Sequence, residues 1–186
     1  EISAIEKACK FGDKAFDYVL AEIKTGITEK ELAFEIELFI RKANAEISFP
    51  PIVAFGTNSS IPHHQSTHNT KLITNNIVLL DFGVKVDNYC SDMTRTIFLG
   101  TPNKEEIKLY NLILNCNKKC ITKLKINLSY ADLDLYSRTL LREYKQFFLH
   151  SLGHGIGIKI HEAPKIFVIS KEKVKDNDIV TIEPGV

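Results

Sequence analysis

The sequence predicts an α+β fold in which one αα-ββ unit occurs twice. Three observations carry this expectation. Two amphipathic helix pairs each begin their second helix on a capping-box pattern, Thr28-x-x-Glu31 and Ser129-x-x-Asp132. Each pair is followed by a β-rich stretch, residues 49–99 and 147–186. The turns also align: Ile27-Thr28-Glu29-Lys30-Glu31-Leu32 matches Leu128-Ser129-Tyr130-Ala131-Asp132-Leu133 at an offset of 101, behind Gly26 and Asn127.

Taken in order, residues 3–24 place Ile5, Ala8, Cys9, Gly12, Ala15, Phe16, Val19, Leu20 and Ile23 on one helical stripe, with Gly26 as the expected C-cap. Leu32, Ile36, Phe39, Ile40 and Ala43 continue a second helix. Thr101-Pro102 is expected to start a third, with Ile107, Tyr110, Ile113, Leu114, Cys120, Ile121 and Leu124 on its stripe. A fourth runs from Ser129 to about Tyr144. The segment Asp178–Glu183 reads as a strand stopped by Pro184-Gly185.

The chain of 186 residues is one average domain, or two half-domains sharing a core, and should bury roughly 70% of its unfolded surface. With 44% apolar and 25% charged residues it is neither disordered nor fibrous. Lys plus Arg, 24, nearly cancels Asp plus Glu, 23, which argues against nucleic acid or an anionic membrane as partner. No apolar run suits a membrane span and no signal peptide opens the chain, so a cytoplasmic location is expected. Cys9, Cys90, Cys116 and Cys120 lack metal-site spacing and read as core thiols in a reducing compartment.

Chemistry concentrates elsewhere. The six histidines fall in two groups, His63, His64 and His68, then His150, His154 and His161. Between them, strands 77–81 and 94–99 flank Val84–Cys90, with Asp87-Asn88 as the natural tight turn. Facing residue numbers then sum to 175, so Asp81 faces Thr94, Gly83 faces Asp92, and these four share a face. Asp81 and Asp92 become diagonal neighbours able to reach one ion, with Gly83 leaving space for it. Two inward carboxylates on an apolar strand need compensation. Either Arg95 or a Lys pairs with one of them, or a divalent cation binds both.

The stretch His150-Ser151-Leu152-Gly153-His154-Gly155-Ile156-Gly157 has an i, i+4 histidine pair but too many glycines for a zinc-protease helix. Glycines on both sides of His154 would let its backbone approach a site closely. Glu183 ends an apolar strand, where it is either an edge charge or a ligand. Two Asp, one His and one Glu make an oxygen-rich set suited to Mn²⁺, Co²⁺, Fe²⁺ or Zn²⁺.

Together these stretches resemble a known family. Phe49-Pro50-Pro51-Ile52-Val53-Ala54-Phe55-Gly56 leading to Pro62-His63-His64, Asp81-Phe82-Gly83 with Tyr89–Thr96, His150–Pro164, and Thr181-Ile182-Glu183-Pro184-Gly185 are similar to the motifs of Xaa-Pro aminopeptidases and Xaa-Pro dipeptidases. The resemblance implies the pita-bread fold with its pseudo-two-fold repeat, and a dinuclear site holding two divalent ions, Mn²⁺ before Co²⁺, Zn²⁺ or Fe²⁺. By that resemblance Asp81 binds one metal, Asp92 bridges both, and His154 and Glu183 bind the other. His63 would stand near the scissile bond, and His161 and His150 would line the pocket. Two such ions deprotonate a bridging water and polarise the carbonyl of an X-Pro bond. A homodimer acting on proline-containing peptides is implied for the full-length protein.

Methionine aminopeptidases share the fold and the GHGIG…HE segment, but the Phe49–Gly56 and Tyr89–Thr96 runs side with the X-Pro branch. A pita-bread binding module without catalysis, as in histone-chaperone subunits, would have lost the ligands that stand here. Creatinase, which lacks the metal set, is disfavoured likewise. The family carries a fifth ligand, a bridging Glu after the Glu-Pro-Gly motif, whereas this chain ends at Val186. Residues 1–186 are therefore expected to be a C-terminally truncated catalytic domain, without an N-terminal domain or last ligand strand, and weakly active or inactive.

Overall fold

The computed structural model describes residues 1–66 and 69–186, so His68 lies outside the described residues. The chain divides into two compact units. One comprises Glu1–Pro102 with Gly157–Ile160, the other Asn103–Ile156 with His161–Val186.

In the first unit, α1 (Ile2–Glu22) buries Ile5, Ala8, Gly12, Ala15 and Val19. The stripe read from the sequence was wider than the buried face, since Cys9 and Leu20 are exposed. The helix stops four residues before Gly26, which is no C-cap; it takes φ +94° in the following turn and donates its N–H to the Leu72 carbonyl. α2 (Glu29–Lys42) starts on the expected box. The Thr28 hydroxyl accepts from the Glu31 N–H, and the Glu31 carboxylate returns to the Thr28 N–H.

Six strands follow: β1 (Glu46–Ile47), β2 (Ile52–Phe55), β3 (Asn76–Phe82), β4 (Val84–Val86), β5 (Tyr89–Cys90) and β6 (Met93–Leu99). They form two antiparallel sheets, ordered β2-β3-β6 and β1-β4-β5. On β3, Val78, Leu80 and Phe82 are buried with Leu32, Ile36, Ile40, Ala15 and Val19, while Asp81 lies on the alternate face. Each of those three apolar strand residues contributes about 1.5–3 kcal/mol by burial. That packing fixes which way Asp81 points, because a one-residue slip would put the carboxylate into the core.

In the second unit, α3 (Lys104–Lys123) begins later than Thr101-Pro102 suggested. Asn103 is the cap, and its side chain and that of Glu106 form a reciprocal box. Its buried face is Cys116 and Cys120, whereas Ile107, Tyr110 and Ile121 are exposed. α4 (Tyr130–Leu140) is capped by Ser129 and gives way to a 3₁₀ turn, Arg142–Phe147, before the expected end at Tyr144. β7 (Gly153–Gly155) pairs with β8 (Glu162–Ile166). The segment 179–183 is no full strand, yet it runs antiparallel along β7. Ile156 N–H donates to Ile179, Thr181 N–H to His154 and Glu183 N–H to Leu152. Tyr130, Leu133, Leu141, Phe148, Leu152 and Ile166 complete this unit's core.

The repeat is visible in matched backbone bonds. Gly26 N–H donates to Leu72 and Leu72 N–H to Ile27; Asn127 N–H donates to Val174 and Val174 N–H to Leu128. Glu29 N–H to Thr70 has its counterpart in Tyr130 N–H to Glu172. Gly26 and Asn127 both take positive φ, +94° and +70°, the conformation the tight turn requires.

Candidate active site

The carboxylate hairpin folds as its turn residues dictate. Asp87 and Asn88 sit at φ +51° and +69°, the pair of left-handed residues a type I′ turn needs. Pairing runs from Val86 opposite Tyr89 to Asn76 opposite Leu99, with Asp81 opposite Thr94, in the expected register throughout. Between the two sheets the ladder is carried by Ser91, whose N–H donates to the Val84 carbonyl and whose hydroxyl accepts from the Val84 N–H.

Gly83 does something other than leave room for an ion. A Cβ there would lie 1.9 Å from the Ser91 carbonyl oxygen and 2.9 Å from Ser48 Oγ, so the glycine admits the opposite backbone. Asp81 and Asp92 are both partly buried, and the Oδ1 oxygen of Asp81 is shut off from solvent. Arg95 stands opposite Leu80, on the other face from Asp81, with its guanidinium over the Phe16 ring at 5.8 Å. It is not the counter-charge.

In the second unit β7 holds His154 between two backbones. Cβ atoms at Gly153 and Gly155 would lie 2.0 Å from the Thr181 carbonyl and 2.2 Å from that of Ala163, so these glycines serve strand contact. His154 is 8% exposed. Its Nδ1 stands 2.9 Å from the Gly155 carbonyl, an acceptor only, so Nδ1 carries the hydrogen. Its Nε2 lies 3.3 Å from Glu183 Oε1. In the neutral ring that arrangement sets a nitrogen lone pair against a carboxylate oxygen, which is stable only with a proton or a cation between them.

Thr181 orients the acid. Its hydroxyl donates to Glu183 Oε1 at 2.9 Å and accepts from the His154 N–H at 3.0 Å. Burial pushes the Glu183 carboxyl upward, but the hydrogen bonds from His154 and Thr181, with the charges of His154 and His150, outweigh it and leave it below its ordinary value.

Nearby, the His161 ring meets that of His154 edge-on at 4.4 Å. His150 stands edge-on to Phe148 at 4.8 Å, and a Cβ on Gly185 would lie 3.0 Å from its Nε2. The segment is held by a buried pair that the sequence reading missed. Asp134 receives Arg138 Nε at 2.8 Å and the Leu152 N–H at 3.1 Å, while Arg138 donates to the Phe148 and His150 carbonyls at 2.8 and 2.9 Å. An i, i+4 Asp–Arg pair on α4 was the available sign.

Of the seven residues expected at the site, the first unit thus holds Asp81 on β3 opposite Thr94, Asp92 in the link between β5 and β6, and His63 on an exposed turn. The second unit brings His154, Glu183 and His161 together with His150 close to the same strand end. Within either unit, no three His, Cys, Asp or Glu side chains among the described residues form a metal-holding group.

Residues 3–186 match the profile of metallopeptidase family M24. The chain belongs to metallopeptidase family M24. Among relatives of the M24 chain, the Xaa-Pro dipeptidase of Pyrococcus furiosus is 35% identical over 189 residues, covering all of this chain and 54% of that protein. An uncharacterized peptidase of Staphylococcus epidermidis is 38% identical with the same coverage. The solved X-Pro aminopeptidase from Thermotoga maritima superimposes with a TM-score of 0.95 at 33% identity, over 99% of this chain and 53% of that one. The prolidase from Pyrococcus furiosus gives 0.95 at 35% identity, over 99% and 55%. The M24 chain has the pita-bread fold of these structures and spans about half the length of the curated relatives it matches.

Proposed function

We propose that the protein is a metal-dependent exopeptidase that cleaves between an N-terminal residue and proline, as an Xaa-Pro dipeptidase or aminopeptidase. The observation that carries this is the His154–Glu183 pair, with Nδ1–H committed to a carbonyl and Nε2 turned on a carboxylate oxygen at 3.3 Å. That is the tautomer and donor set a divalent cation takes. Relatives named as Xaa-Pro dipeptidases support the substrate class.

The proposed ligands are Asp81, Asp92, His154 and Glu183, for two ions, with Mn²⁺ ahead of Co²⁺, Zn²⁺ or Fe²⁺. Ions held there would supply an activated water and polarise the peptide carbonyl. The chain's own residues do the rest. Ser91 locks the strand ends that bear the two aspartates, and Thr181 holds the Glu183 carboxylate. His63, exposed on its turn, hydrogen-bonds the substrate or relays a proton at the scissile nitrogen. His161 and His150 line the pocket. The full-length protein is proposed to be a homodimer. Free thiols at Cys90, Cys116 and Cys120 support a reducing, cytoplasmic compartment. Among the described residues no helix is long and apolar enough to cross a membrane.

The test is hydrolysis by the full-length protein with Mn²⁺, using X-Pro dipeptides, X-Pro-containing tripeptides and Met-Ala peptides. Cleavage before proline is expected, lost in Asp92→Asn with folding intact. Cleavage of Met-Ala alone, or none with any metal, would overturn the proposal.

A further inference from the structure

Glu29 opens α2, yet its side chain is completely buried. Acids in a first helical turn are ordinarily solvated, and a buried one is stable only with its oxygens satisfied. Here Oε1 accepts from the Phe55 N–H at 2.7 Å and from Asn58 Nδ2 at 2.9 Å, and Oε2 lies 3.0 Å from His64 Nε2. The three partners come from three successive pieces of chain: the end of β2, the 3₁₀ turn Gly56–Ser60, and the turn that follows it. The last of these is closed by the His64 N–H on the Ile61 carbonyl at 3.2 Å.

His63 sits inside this construction. It takes φ +56°, a conformation uncommon for a residue with a side chain, and is exposed. His64, next in the chain, is 6% exposed. One histidine of the pair is turned inward onto a carboxylate and the other outward. A left-handed, solvent-facing histidine holds one orientation only if its neighbours determine it.

We infer that Glu29 and His64 form a buried positioning pair that sets the turn presenting His63, acting on the reaction through His63 without touching substrate. This rests on the proposed placement of His63 beside the scissile bond.

The test uses Glu29→Gln, His64→Leu and His64→Gln in the full-length protein with Mn²⁺. Glu29→Gln and His64→Leu are expected to lower kcat on an X-Pro dipeptide by about tenfold or more, with KM and Mn²⁺ affinity within about twofold. His64→Gln keeps an N–H donor for Glu29 and should recover much of that loss. In a His63→Ala background Glu29→Gln should slow the enzyme no further, because residues acting as one unit are not additive. Independently of activity, Glu29→Gln or His64→Leu should speed hydrogen exchange at the Ile61 and His64 amides by about tenfold, with α1 and β3 amides unchanged.

Losses that multiply with His63→Ala, or exchange that quickens throughout the first unit, would reduce the pair to general stability and overturn the inference. If Glu29→Gln does not fold, the His64 variants carry every arm. If the wild type cleaves no X-Pro bond, the proposed function fails on its own. The inference is then decided by whether the exchange change and a shift of the His63 ring resonance stay local to residues 55–66.

Discussion

Glu183 Oε1 lies 3.3 Å from His154 Nε2, while the other nitrogen of that ring is bound to the Gly155 carbonyl at 2.9 Å. The imidazole is fixed before any ligand arrives, so binding a cation requires no reorientation of the ring. His154→Ala should weaken Mn²⁺ binding by the full-length protein by about 10- to 100-fold, and Thr181→Val should weaken it less, by removing only the brace on Glu183. Calorimetric titration measures both. Equal Mn²⁺ affinity in His154→Ala and wild type would rule the ligand assignment out.

Gly83 predicts a stability effect. Gly83→Ala places a Cβ 1.9 Å from the Ser91 carbonyl oxygen, and backbone must move. Urea unfolding should show a loss of about 1–3 kcal/mol, the range for overpacking a tight site. Gly26→Ala meets no atom within 4 Å and suffers only from its φ of +94°, so its loss should be smaller, about 1 kcal/mol.

Asp134→Ala should be among the most damaging substitutions in the second unit. It leaves the Arg138 guanidinium, 20% exposed, and the Leu152 N–H without their shared acceptor. Breaking a buried pair from one side costs about 3–5 kcal/mol. A change under about 1 kcal/mol in chemical denaturation would contradict this account.

Acid sensitivity follows from Glu31. Its carboxyl is held below the ordinary value by hydrogen bonds from the Thr28 N–H and hydroxyl. A depressed carboxylate contributes stability that is complete above its unfolded pKa, about 4.3, and is lost as pH falls through the lower folded value. Glu31→Gln should therefore lower Tm at pH 7 and not at pH 2–3, as followed by circular dichroism. A Tm difference that grows on acidification would have the wrong sign.

Much of this architecture was legible because it is set by short-range chemistry. The Asp87-Asn88 turn dictated the register of the hairpin, and with it the pairing of Asp81 with Thr94. The Thr28 and Ser129 caps marked two helix starts. Asn103-Lys104-Glu105-Glu106 is an equally legible box that Pro102 obscured. What escaped was long-range. Gly83 reads as empty space until Ser91 is seen against it, and Gly153 and Gly155 until their neighbouring strands are. Glu29 looks like an ordinary first-turn acid, because the groups it collects lie 26 to 35 residues away.

The paired clasps, Gly26 with Leu72 and Asn127 with Val174, have a consequence for how the chain folds. They close loops of 46 (26 to 72) and 47 (127 to 174) residues. Closure entropy grows only with the logarithm of length, about 0.6 kcal/mol per doubling, so the two closures are equally demanding. Any difference in the order or speed with which the halves form must then come from what each loop contains. The first encloses β2 and the Glu29 carboxylate with its partners Phe55, Asn58 and His64, the second the Asp134–Arg138 pair and the β7–β8 ladder.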